Sequence, residues 1–228
     1  MLWYRAEMRL RRPVLLFIGL ASVATSVGVI FAAGEDRIFP VVENGCQETD
    51  AINNGSVCLA DSSGHTVFVD FLGPKLKSAT QWTLNNSYNT ISPFSIQYVS
   101  NPITSGAGET DVLYGVRNDL PDFVFAFTGC NDNLGGFRCD QFYVNYHGDF
   151  ICSQSYWCNT STIHISLACH ETGHTFGLMH PEASNPARLP SQTDYYCMRT
   201  DYAVFASYYV GSQNVYAMQS IQWPAGYQ

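Results

Sequence analysis

The run His170-Glu171-Thr172-Gly173-His174-Thr175-Phe176-Gly177-Leu178-Met179-His180 constrains the fold more than any other part of this 228-residue chain. It demands a helix that stops inside the motif. On a helix, His170 and His174 lie four residues apart and project from one face, so two imidazoles can meet one ion. Glu171 sits one residue round from the first, where its carboxylate reaches a metal-coordinated water. His180 cannot join them if the helix continues. At about 1.5 Å per residue it would lie roughly 15 Å beyond His170, on another face. The chain must turn back, and Gly177 is the residue best suited to the left-handed conformation that a reversal needs. Five specified positions at this spacing arise by chance with a probability below roughly one in ten thousand. Three histidines plus a water make an open zinc site of the catalytic kind, whereas a structural site is closed by a fourth protein ligand.

Farther along, Asp194-Tyr195-Tyr196-Cys197-Met198-Arg199 sets a methionine in a tight, polar context. The long histidine motif followed by a methionine turn is the signature of the metzincin zinc peptidases. This chain resembles that class from Ala168 to Met198, and only in architecture before them. It looks most like the matrixin-type branch, because the third ligand is His180 and Pro181 follows at once. Position 200 is threonine, where astacins and serralysins carry a tyrosine; the nearest downstream tyrosine is Tyr202. The resemblance implies an α+β fold: a twisted mixed β-sheet with a backing helix and an active-site helix. A small, irregular C-terminal subdomain with a terminal helix should follow. It also implies that Met198 forms the turn beneath the metal, with Met179 at most shaping the pocket wall.

The N-terminus reads as an export signal. Arg5, Arg9, Arg11 and Arg12 precede an uncharged, largely apolar run from Val14 to Ala33. Residues 1–34 are therefore expected to be a signal peptide, or an uncleaved anchor of the same orientation. Without them the chain keeps 18 acidic and 7 basic side chains, a formal charge of −11. Basic residues so few and scattered leave no electrostatic footprint for nucleic acid, and an acidic surface suits solubility outside the cell.

Eight cysteines behind such a signal read as a disulfide framework, although eight allow about 105 pairings. Short loops favour Cys46–Cys58, Cys130–Cys139 and Cys152–Cys158, which leaves Cys169 with Cys197. That last bridge would staple the motif helix to the methionine turn. The rival, a cysteine ligand to the zinc, is disfavoured because three histidines already complete the protein's share.

Residues 35–64 are polar and turn-rich, an expected strap held by one disulfide, and residues 65–228 form the expected catalytic domain. Strand patterns occupy His65–Leu72, Phe94–Val99, Asp111–Val116, Phe123–Thr128 and Gln141–Tyr146. A backing helix is expected over Pro74–Asn85, the motif helix from near Ser161 to Gly177, and a terminal helix over Ser212–Gln222. His65, His147 and His164 read as surface or strand residues and not as ligands. The loop Asn131-Asp132-Asn133-Leu134-Gly135-Gly136 has oxygen ligands suited to Ca²⁺, but a plain turn is the favoured reading. Tyr195, Tyr196 and Tyr202 flank the methionine turn, and Tyr202 is the candidate donor to an oxyanion.

The function expected is that of a secreted, monomeric zinc endopeptidase acting on protein or peptide substrates. His170, His174 and His180 would bind Zn²⁺, and Glu171 would be the general base. Two alternatives stand beside it: a membrane-tethered protease of the same chemistry, and an inert, zinc-stabilised surface or adhesion module.

Overall fold

The structure, a computed structural model, describes residues 59–121, 124–135, 138–148, 161–178, 180, 196–198 and 208–220. Its centre is a six-stranded sheet of β1 (Leu59–Ala60), β2 (Gly64–Phe68), β3 (Ser95–Tyr98), β4 (Val112–Arg117), β5 (Ala126–Gly135) and β6 (Arg138–His147). The order is β1-β6-β4-β2-β3, all parallel, and β5 pairs with β6 antiparallel. The expected mixed sheet with few helices is what the chain forms. Parallel neighbours cannot be joined by a tight turn. Between β2 and β3 the crossover is α1 (Pro74–Thr83), continued by a π-helical turn, Leu84–Tyr88. Pro74 opens α1 at the position where a missing N–H costs nothing. The π turn closes with Asn89 N–H to the Leu84 carbonyl at 2.9 Å. It buries Leu84 in one core and Tyr88 in another, so the helical run continues three residues past the expected end at Asn85.

The first core lies on one face of the sheet. Val67, Val112, Tyr114, Phe142, Val144 and Tyr146 meet Leu84 and, from the motif helix α2 (Ser161–Thr175), Leu167 and Ala168. At roughly 1.5–3 kcal/mol for each fully buried large apolar side chain, this layer fixes α2 against the sheet. The second core gathers Leu59, Tyr88, Phe94, Cys169, Phe176, Leu178, Cys197, Met198 and Met218. Met218 belongs to the terminal helix α3 (Ser212–Ser220); the last two residues of the expected helix lie outside the described residues.

Two expectations need correction. The segment Asn131–Gly135 is not a plain turn but the second half of β5. Register shifts between Cys130 and Asp132, Asp132 and Asn133, and Asn133 and Gly135 absorb its turn-type residues within the ladder. The Cys130–Cys139 disulfide, with Cα atoms 5.7 Å apart, clips the two strands there. Of the three histidines expected on the surface or on strands, only His164, buried in α2, departs from that reading; His65 and His147 are buried strand residues. None of the three belongs to the histidine cluster.

Cys46, Cys58, Cys152 and Cys158 lie outside the described residues, as do Tyr195, Tyr202, the N-terminal segment 1–34 and all of the strap but its last six residues. No helix among the described residues is long and apolar enough to cross a membrane.

Candidate functional site

The motif helix stops as its sequence requires. Gly177 takes φ +81°. The Leu178 N–H reaches back to the Gly173 carbonyl at 3.0 Å, and the Gly177 N–H reaches the His174 carbonyl at 3.0 Å. This pair of bonds is the Schellman closure, with glycine in its left-handed position. It also frees the Leu178 carbonyl, which accepts from His174 Nδ1 at 2.7 Å. The residue that reverses the chain is thus followed by one that orients the His174 ring.

The reversal brings His180 to the other two histidines. Its Nε2 lies 2.8 Å from His170 Nε2 and 3.2 Å from His174 Nε2. His170 Nδ1 is tied to the Cys197 carbonyl at 2.7 Å. Two of the three rings therefore commit their Nδ1 protons to backbone carbonyls and turn bare Nε2 lone pairs toward a common point. At most one proton, on His180, is left to separate three nitrogens. Such a set fits a cation. Tetrahedral ligands at about 2.0–2.1 Å from one ion would stand roughly 3.3 Å apart, close to the separations found.

Burial holds the rings neutral, the state a metal ligand needs. It lowers His170 to about 4, against the opposing pull of the Cys197 carbonyl. His174 falls to about 3 through burial and then the neighbouring His170. His180 is pushed well below its ordinary value by burial, then by His174 and His170.

Glu171 is 4% exposed, and burial pushes its carboxyl up to about 7. The Thr128 hydroxyl, from β5, opposes that shift by donating to Oε2 at 2.6 Å. Met198 is fully buried and lies against Gly173, where a Cβ would run into its sulfur. The missing side chain of Gly173 is thus what lets the Met198 thioether pack against α2 between His170 and His174. The Cys169–Cys197 disulfide joins α2 to this segment with Cα atoms 5.8 Å apart, the pairing left over by the short-loop argument. Tyr196, just before it, has φ +47° and is 47% exposed.

Several partners of the site are invisible to motif reading. Thr128 lies 43 residues from Glu171. Tyr88 donates to the Cys169 carbonyl at 2.5 Å, and Tyr114 shares a 2.8 Å bond with Thr172. His65 Nε2 meets Thr175 Oγ1 at 3.2 Å, and its ring stacks on Phe176 at 3.9 Å. A strand pattern could flag Thr128 as a strand residue, but no periodicity says which helix it touches. Gly173 is the exception: its place between His170 and His174 could have marked a close approach.

Carboxylates form two further groups among the described residues. Asp61, Asp111 and Asp140 make one, and Glu109, Asp132 and Asp140 the other, with candidate oxygens within 4.8 Å of one another. Oxygen donors of this kind suit a hard cation such as Ca²⁺, and Asp132 comes from the segment first read as a turn. Asp111 is already engaged, accepting from the Thr66 N–H at 2.5 Å and the Thr66 hydroxyl at 2.6 Å.

No protein-family model matches the chain, and no curated protein is similar to it in sequence.

Proposed function

We propose that this chain is a zinc-dependent endopeptidase of the metzincin type, nearest the matrixin branch, working on protein or peptide substrates outside the cell. One observation carries the reading. Three Nε2 atoms converge, two of them fixed by backbone carbonyls, and the residue next to the first ligand is a buried glutamate. A metal that only stabilised the fold would gain nothing from a buried carboxylate beside its ligands, since burying it is costly. The sheet with one antiparallel strand, the helix stop at Gly177 and the thioether of Met198 against Gly173 support the same reading.

His170, His174 and His180 would hold the ion. When bound, zinc polarises a carbonyl and makes a coordinated water more acidic. Glu171 does the proton work. Its buried carboxylate would accept a proton from water and give it back to the departing amine. Thr128, Tyr88 and Tyr114 hold the helix in place while it does so. Tyr202 is proposed to donate to the oxygen on which charge develops.

Two disulfides among the described residues are compatible with an oxidising compartment, and we place the working enzyme outside the cell as a monomer. The N-terminus of the mature protein separates release from tethering. Sequencing should begin near Glu35, and an intact Met1 in the membrane fraction would establish the anchored form. The central test is hydrolysis of unfolded casein by the purified protein. Activity should vanish with a chelator and return with stoichiometric zinc. Zinc binding without any chelator-sensitive hydrolysis would mean an inert, metal-stabilised module instead.

A further inference from the structure

We propose that Thr128 is a positioning residue for Glu171: its hydroxyl holds one carboxylate oxygen, so that the other is the one presented to the attacking water. The inference rests on the peptidase reading above and adds to it a residue on a different element from the motif.

The geometry is specific. Thr128 Oγ1 lies 2.6 Å from Glu171 Oε2 and 3.0 Å from the Glu171 backbone carbonyl oxygen. One hydroxyl proton faces two acceptors. The carboxylate is the stronger acceptor when ionised, and it is also the nearer, so the donated bond goes to Oε2. The carbonyl, a helix acceptor, limits how far the hydroxyl can rotate away. A glutamate side chain otherwise has three torsions to lose on being fixed, and a fixed donor removes the last of that freedom.

Both ends of the bond stand on rigid supports. Thr128 is β-branched and therefore stiff about χ1. It lies in β5 opposite Val144 of β6, which in turn pairs with Tyr114 of β4. On the helix side, α2 is pinned by Tyr114 to Thr172, by Tyr88 to the Cys169 carbonyl, and by the Cys169–Cys197 disulfide. A hydrogen bond between two such frames sets an orientation, where one between two mobile groups would only follow it. The side-chain hydrogen bonds of Thr128 go to Glu171 and not to the three converging histidine nitrogens, so its effect passes through Glu171.

The test uses the full mature chain. Thr128→Val keeps the shape and the strand preference and removes only the donor; Thr128→Ser keeps the donor. Three readouts are taken on each: zinc content, kcat and KM on a casein-derived peptide, and rotamer averaging of a ¹³C-labelled Glu171 side chain from three-bond couplings. Thr128→Val should bind one zinc, keep KM within about twofold and lose roughly 10- to 100-fold in kcat, the range seen when partners of site groups are removed. Its Glu171 should become averaged, while Thr128→Ser stays ordered and within about threefold of wild-type kcat. Should the valine variant not fold, Thr128→Ala serves as the donor-free form.

Wild-type kcat in a donor-free variant, unchanged couplings, or equal loss in the serine and donor-free forms would each overturn the proposal. An inactive wild-type protein whose Glu171 is ordered only when position 128 carries a hydroxyl would overturn the peptidase reading and support the positioning.

Discussion

At the residue scale, two single side chains divide the work of the helix. Glu171 offers a buried carboxyl raised to about 7 and lies outside the histidine cluster. Glu171→Ala should therefore leave one zinc bound while hydrolysis falls by roughly 10²–10⁴-fold, the usual share of a general base. Metal analysis and turnover on the same preparation check this; undiminished turnover at full zinc would refute the mechanism. Gly173 has a different task. A Cβ there meets the Met198 sulfur and approaches the Tyr88 hydroxyl at 3.0 Å. Alanine is the better helix former, yet Gly173→Ala should destabilise by about 1–3 kcal/mol through overpacking. Thermal melting reads it directly, and a more stable variant would show that the methionine moves aside freely.

At the element scale, the end of α2, the methionine turn and the disulfide act together. Cys197 contributes its sulfur to Cys169 and its carbonyl to His170, so one residue links the covalent staple to the orientation of the His170 ring. The bridge spans 28 residues in sequence, and the loop includes His180. By loop entropy its closure stabilises the fold by about 3–4 kcal/mol. Cys169→Ala combined with Cys197→Ala should lower thermal stability and zinc affinity together. Calorimetry and competition with a chromogenic chelator measure the two. A double variant with wild-type metal affinity would separate the staple from the ligand set.

At the scale of the whole molecule, the acidic character implied by the composition becomes local. Asp61 is raised to about 6, chiefly by burial and then by Asp111 and Asp140, with Arg138 pulling the other way. A carboxyl raised in the folded state favours folding when protonated. That contribution is complete below the ordinary value of 3.8 and is lost as pH rises through about 6. Asp61→Asn, which copies the neutral form, should gain on the wild type between pH 5 and pH 8. For a half-buried group in partly screened surroundings the gain is on the order of 1 kcal/mol, or about 2–4 °C in Tm for a domain of this size. Melting curves at the two pH values test it, and a difference that does not widen with pH would show that Asp61 is solvated like any surface carboxylate.

Local chemistry made much of this molecule legible from sequence. The stop at Gly177 could be read because only a left-handed residue allows a third histidine to return. The Cys130–Cys139 and Cys169–Cys197 bridges are those that a preference for short loops favoured, although that preference alone could not fix the pairing of eight cysteines. Five of the six strands were legible as β-rich runs bounded by turn residues, with alternation marking only His65–Leu72, and the two-residue β1 carried no such signal. What the sequence withheld depends on groups far apart in the chain. The 10-residue strand β5 contains Asn, Asp and Gly, residues that signal turns by themselves and are carried into the ladder only by bulges, a disulfide and a long partner strand. His65, His147 and His164 look polar and are buried, because burial belongs to the packed core and not to residue type. Thr128 meets Glu171 across a separation of 43 residues, and only the docking of the motif helix on the antiparallel strand decides that meeting.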